Sequence, residues 1–112
     1  NTYHGGVIAP GISLSLNNLV NKASLIPMIN LSKISKVVGT NTDLAVRSGF
    51  YWGYLGLIDN IIFMIKKQTK KSFKLIFTGG LANMFTKLKK NKPIINKDLT
   101  IDGLLKLAKT IK

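Results

Sequence analysis

Residues 73–82 read Phe73-Lys74-Leu75-Ile76-Phe77-Thr78-Gly79-Gly80-Leu81-Ala82. The first six make a short run of aromatic and aliphatic side chains with strand character. Two glycines then break it, and Leu81, Met84, Phe85 and Leu88 return to a helical period. Strand, Gly-Gly, helix is a unit with chemical consequences. Glycines at the carboxyl end of a strand let a ligand approach the backbone, and a following helix start offers free N–H groups. A tight strand-to-helix turn needs the same residues, so Thr78-Gly79-Gly80 alone leaves both readings open.

Upstream lies the main element. From Thr42 to about Lys67 the chain is apolar almost all round, the pattern of a helix buried in an interior or an interface. Gly49, Gly53 and Gly56 fall in one narrow stripe at helical spacing. Each glycine costs about 1 kcal/mol relative to alanine within a helix. Three on one face predict another backbone packed close there, with a subunit contact nearby. The apolar stretch 50–65 contains Asp59, Asn60 and two of these glycines, and it falls short of the roughly 20 apolar residues of a membrane span. A soluble protein with no membrane partner is expected.

Further upstream, Gly5-Gly6-Val7-Ile8-Ala9-Pro10-Gly11 is a glycine-bracketed turn. Apolar residues at 12, 16, 19, 20 and 23 then mark an amphipathic helix that Pro27 stops. Residues 28–38 read as broken and partly extended. Gly39-Thr40-Asn41-Thr42 reads as a loop that delivers a helix cap. Downstream, a last helix begins near Thr100, with Ile101, Leu104, Leu105, Ala108 and Ile111 on one face. No fixed-period repeat or linker divides the chain. The order helix, long helix, strand, helix, helix describes an α/β domain with too few strands to complete its sheet.

The whole chain has 112 residues, 46% of them hydrophobic, enough for one cored domain. There is no cysteine, so disulfides, thiolate metal sites and cysteine nucleophiles are excluded. The one histidine, His4, has no nucleophile context and counts as a loop residue. Sixteen lysines, one arginine (Arg47) and four aspartates give a net charge of +13. The lysines gather at 66–74, at 87–92 and at the C-terminus, places that read as helix ends and loop tips. That distribution fits solvated faces better than a focused stripe with arginines and stacking aromatics, so nucleic acid is not the expected partner. Asp98 and Asp102 stand at a helix start, where carboxylates serve the dipole. Asp59 reads as a hydrogen-bonded or solvated residue. No catalytic pair and no metal-ligand set is present in this segment.

Read together, the pieces resemble a known family. Gly5-Gly6-Val7-Ile8-Ala9-Pro10-Gly11 with Leu25-Ile26-Pro27 looks like the GGxIxPG…LP pattern of the type III pantothenate kinases. So do the run from Val38 through Gly39-Thr40-Asn41-Thr42-Asp43 to Gly49, the Tyr51-x-Gly53 step and Gly56-Leu57-Ile58-Asp59. Thr78-Gly79-Gly80-Leu81-Ala82 is similar to the family's adenosine-side motif, and residues 98–104 to its closing DLTxxGL helix. The motifs stand in order across essentially the whole chain.

The resemblance implies an α/β fold: the C-terminal half of an actin-like ATPase (ribonuclease H-like) fold, an incomplete sheet flanked by helices. Residues 1–112 would form a single partial domain, the C-terminal lobe, with the phosphate-binding lobe missing. The implied activity is ATP-dependent phosphorylation of pantothenate to 4′-phosphopantothenate, the first step of coenzyme A biosynthesis, in a cytoplasmic homodimer. The cofactors would be ATP with Mg²⁺ and a monovalent cation, K⁺ or NH₄⁺, whose ligands are expected upstream of residue 1. Thr42 matches the pantothenate-binding threonine, and Thr78, Gly79 and Gly80 fall to the nucleotide. The family's DxGNT, GxDR and DxGTA motifs, including the general-base aspartate, would all precede Asn1, so the segment alone is expected to be inactive. Arg47 stands where the family's AMQSG segment has glutamine. A non-catalytic regulatory relative of the same family is the alternative reading, and a basic nucleic-acid-binding module a second.

Overall fold

The computed structural model describes residues 2–22, 29–88 and 91–110. The elements run α1 (Ile12–Lys22), α2 (Thr42–Thr69), β1 (Ile76–Phe77), a 3₁₀ helix (Ala82–Phe85), β2 (Ile94–Ile95) and α3 (Leu99–Thr110). The chain divides into two compact units, Asn1–Trp52 and Gly53–Lys112, and α2 contributes its first part to one and the remainder to the other.

In the first unit α1 begins at the expected Ile12 and buries Ile12 and Leu16, one turn apart on one face. Its expected stop at Pro27 lies outside the described residues. Residues 29–41 carry no regular secondary structure, as their broken pattern predicts, and Ile29 is buried. α2 starts at Thr42, with Ser48 and Tyr51 buried on its early turns. Burying an apolar side chain of this size is worth about 1.5–3 kcal/mol, so these few residues supply much of this unit's cohesion.

In the second unit the buried residues are Leu55 on α2 and Ala82 and Phe85 on the 3₁₀ helix. Tyr54 meets Phe85 with ring centroids 6.4 Å apart. The β-rich run at 73–78 shrinks to the two residues of β1. They pair in parallel with β2, Ile76 opposite Ile94 and Phe77 opposite Ile95. The ladder is closed by Ile94 N–H to Leu75 O at 2.8 Å and Asn96 N–H to Phe77 O at 2.9 Å. Among the described residues, three α-helices and a two-stranded parallel sheet make a small α/β arrangement. β2 was not apparent in the sequence, because Pro93-Ile94-Ile95-Asn96 is too short to show a period.

One expectation fails, and another is left open by this chain. The helical period from Leu81 yields only the 3₁₀ helix Ala82–Phe85. A four-residue stretch with poorer i to i+3 geometry does not propagate, and residues 86–88 already lie outside any helix. The expected burial of α2 is not completed within the described residues. Trp52, Phe63, Met64 and Ile65 are exposed. A methyl group added at Gly49, Gly53 or Gly56 would have no heavy atom within 4 Å. The stripe is open, with no close backbone against it among the described residues. A glycine stripe in a sequence does not say whether the same chain supplies the neighbour.

α3 begins as expected, with Asp102 N–H bonded to Asp98 O at 2.7 Å. Asp98 N–H in turn donates to Asn96 Oδ1 at 3.1 Å. The two carboxylates therefore stand at a helix start, where the dipole favours negative charge. Among the described residues of α3 none is buried, and Ile101, Leu104 and Leu105 lie open. Lys66 and Lys67 occupy the last turn of α2, and Lys70, Lys71 and Lys74 are exposed just beyond. No described helix is long and apolar enough to cross a membrane.

Candidate functional site

The start of α2 is built by Asn41, a residue that the sequence pattern alone did not single out. Its Oδ1 accepts from Leu44 N–H at 2.8 Å and its carbonyl from Ala45 N–H at 2.9 Å, which makes Asn41 the helix cap. Thr42 is the first helical residue, exposed, with its hydroxyl not spent on capping. Asparagine ahead of an apolar helical run was the available signal.

Gly39 lies directly beneath this turn. A Cβ there would stand 2.3 Å from Ala45 N and 2.6 Å from Leu44 C, inside the helix backbone. Only glycine allows the loop to approach so closely.

Beside the cap an open cavity of about 320 Å³ is lined by Lys33, Ile34, Ser35, Lys36, Val38, Gly39, Thr40 and Leu44. Thr40 and Leu44 face it from either side of Thr42, which is not among its lining residues. Two lysines and the start of a long helix give this end a positive character suited to an anionic ligand.

The wall of the cavity is tied to α2 by side chains. Arg47 Nη1 donates to Ser32 Oγ at 3.0 Å. Its Nε lies 2.9 Å from Asp43 Oδ2, an ion pair that is not aligned as a hydrogen bond. Ser48 Oγ donates to Val37 O, and Trp52 Nε1 donates to Lys36 O at 3.3 Å. The i, i+4 spacing of Asp43 and Arg47 was the one trace of this arrangement in the sequence.

The second candidate site is the glycine turn in the other unit. Thr78, Gly79 and Gly80 follow the carboxyl end of β1 and are exposed. In parallel sheets ligands collect at that end of the strands. Gly79 has φ of +100°, a conformation side chains rarely adopt. Its carbonyl accepts from Ala82 N–H at 3.3 Å, so one donor expected to face a ligand closes the turn instead. Gly80 has ordinary φ, and a Cβ there would meet no heavy atom within 4 Å. Among the described residues no group of three or more His, Cys, Asp or Glu side chains could hold a metal ion.

These features define an α/β segment with two open polar sites, one at a capped helix start and one at a glycine turn after a parallel strand. Comparison with known proteins makes the class specific. Residues 1–63 match the family described as type III pantothenate kinase. A protein of that name from Pelagibacter ubique is 59% identical over the whole chain, which spans 45% of its length. The one from Jannaschia sp. is 43% identical over 96% of the chain and 41% of its own length, and that from Roseobacter denitrificans 41% identical over 96% and 42%. The chain belongs to the type III pantothenate kinase family. It spans less than half the length of these curated relatives.

Proposed function

We propose that the protein to which this segment belongs transfers the γ-phosphoryl group of ATP to pantothenate, giving 4′-phosphopantothenate at the entrance to coenzyme A biosynthesis. The observation that carries the reading is the 59% identity over the full chain to a relative named type III pantothenate kinase. The segment supplies part of a lobe of an actin-like fold and shares in both ligand sites. Thr42 holds pantothenate through a hydroxyl at a helix start, where a polar, anionic substrate finds both a hydrogen bond and a favourable dipole. Thr78, Gly79 and Gly80 take the adenosine side of ATP, since the open space over Gly80 leaves room for a ligand against bare backbone.

Phosphoryl transfer needs a positioned base and metal-held phosphates, and among the described residues no group of three or more His, Cys, Asp or Glu side chains could hold a metal ion. No catalytic step is therefore assigned to this segment, and it should be inactive by itself. A monovalent cation, K⁺ or NH₄⁺, and a cytoplasmic homodimer complete the reading. The open Gly53 and Gly56, with exposed Phe63 and Met64, support a second copy as the missing neighbour of α2.

The test is steady-state kinetics of the full-length protein with each substrate varied separately. Thr42→Val removes the hydroxyl at nearly constant volume. A lost hydrogen bond of about 1–3 kcal/mol lowers kcat/KM for pantothenate roughly five- to 150-fold. Gly80→Val should raise KM for ATP and leave pantothenate much less affected. Because no protein atom lies near a Cβ at Gly80, its effect reports on the ligand rather than on the fold. Damage to the same substrate by both variants, or to neither, would show the assignments to be wrong.

A further inference from the structure

Residues 29–41 form one wall of the cavity beside the α2 cap, yet they contain no helix and no strand. A segment without a backbone ladder keeps one shape only if something else holds it. Here the holders are side chains from α2. Ser48 and Trp52 bind the carbonyls of Val37 and Lys36, at the end of the wall nearest the helix. Arg47 reaches the far end, at Ser32, and Asp43 grips the same guanidinium from one turn earlier. Neither Arg47 nor Asp43 lines the cavity, whereas Lys33, Ile34, Ser35 and Lys36, which follow Ser32 directly, all do.

We infer that Arg47 is a positioning residue for pantothenate. It anchors Ser32 to the first turns of α2 and so sets the width of the cavity beside Thr42, without touching the substrate. The inference rests on the assignment of pantothenate to this end of α2. The planar guanidinium suits the task because it can face a carboxylate and a hydroxyl in two directions at once, which an ammonium group does less well. Loss of Arg47 frees one end of the wall while Ser48 and Trp52 still hold the other. Binding is therefore affected more than folding.

In the full-length protein Arg47→Met should raise KM for pantothenate on the order of tenfold, the effect of losing a charge-assisted hydrogen bond. KM for ATP should stay within about twofold, as should kcat, because the change acts on ground-state binding. Ser32→Ala removes the other half of the same interaction and should reproduce the rise. The double variant should be no worse than Arg47→Met, since two halves of one interaction do not add. Arg47→Lys should recover only part of the loss. Ser32→Ala keeps the test decisive should Arg47→Met fail to fold. A pantothenate KM unmoved by Ser32→Ala, equal losses for both substrates, or additive losses in the double variant would overturn the inference. Thr42→Val separates the two levels. If it raises the pantothenate KM and the Ser32 and Arg47 variants do not, the site assignment stands and the positioning role falls. If none of the three has an effect, both fall.

Discussion

The cavity wall at 29–41 and the turn that follows β1 are both open polar sites, and they are held by opposite means. The wall is tied by side chains: Asn41, Arg47, Ser48 and Trp52 each satisfy a backbone or hydroxyl group of the loop or helix start. The glycine turn is tied by backbone, through a two-residue parallel ladder and a carbonyl of Gly79 that closes the turn. The first kind of site is sensitive to the identity of several side chains and the second to the conformations its backbone adopts. Each should therefore fail in its own way.

Gly39 puts the comparison under the greatest strain, because it is a backbone constraint inside the side-chain-tied region. Gly39→Ala in the full-length protein places Cβ against Ala45 N and should cost about 3 kcal/mol, at the upper end of overpacking effects. A denaturation midpoint that does not fall would show that the loop lies further from α2. Gly79→Ala should cost about 1–2 kcal/mol, purely from forcing a side chain into positive φ, since its surroundings stay as they are. Gly80→Ala is its control. Equal losses at 79 and 80 in chemical denaturation would mean that conformation is not what the turn depends on.

Asn41→Ala tests the opposite region through a side chain, and removing this cap should cost about 1 kcal/mol. Amide exchange at Leu44 should speed up while exchange at Ile94 and Asn96 stays unchanged. Acceleration at both would break the separation between the regions. The smallest effect is a gain. Lys70 adopts φ of 56° just past α2, where its N–H bonds to Lys66 O at 2.8 Å in a left-handed helix cap. Lys70→Gly removes the steric cost and should stabilise by about 0.5–1 kcal/mol, less whatever entropy the new glycine adds to the unfolded chain. A lower midpoint would mean that the lysine side chain contributes more than its backbone costs.

Much of the architecture was legible in one dimension. The starts of α1, α2 and α3 are local events: an apolar period of 3.6, a polar cap and the absence of an interrupting proline. The motifs that carry the family resemblance are local as well, since a glycine turn or a capped helix start is encoded in a few adjacent residues. Solvated lysines at helix ends were legible for the same reason. What the sequence left undecided depends on partners far along the chain. Ile94 and Ile95 become a strand only because Ile76 and Phe77 lie beside them. The pattern from Leu81 stops after one 3₁₀ turn although its period invites a helix. Arg47 reaches Ser32 across fifteen residues of chain, a pairing that no local spacing encodes. Gly39 looked like any loop glycine until α2 was found 2.3 Å from where its side chain would be. By itself the sequence determined where α1, α2 and α3 begin, because helix periodicity and capping act over a few residues. Only the tertiary structure decided which faces are covered and which side chains hold the loops, because burial and long-range hydrogen bonds exist only once distant segments meet.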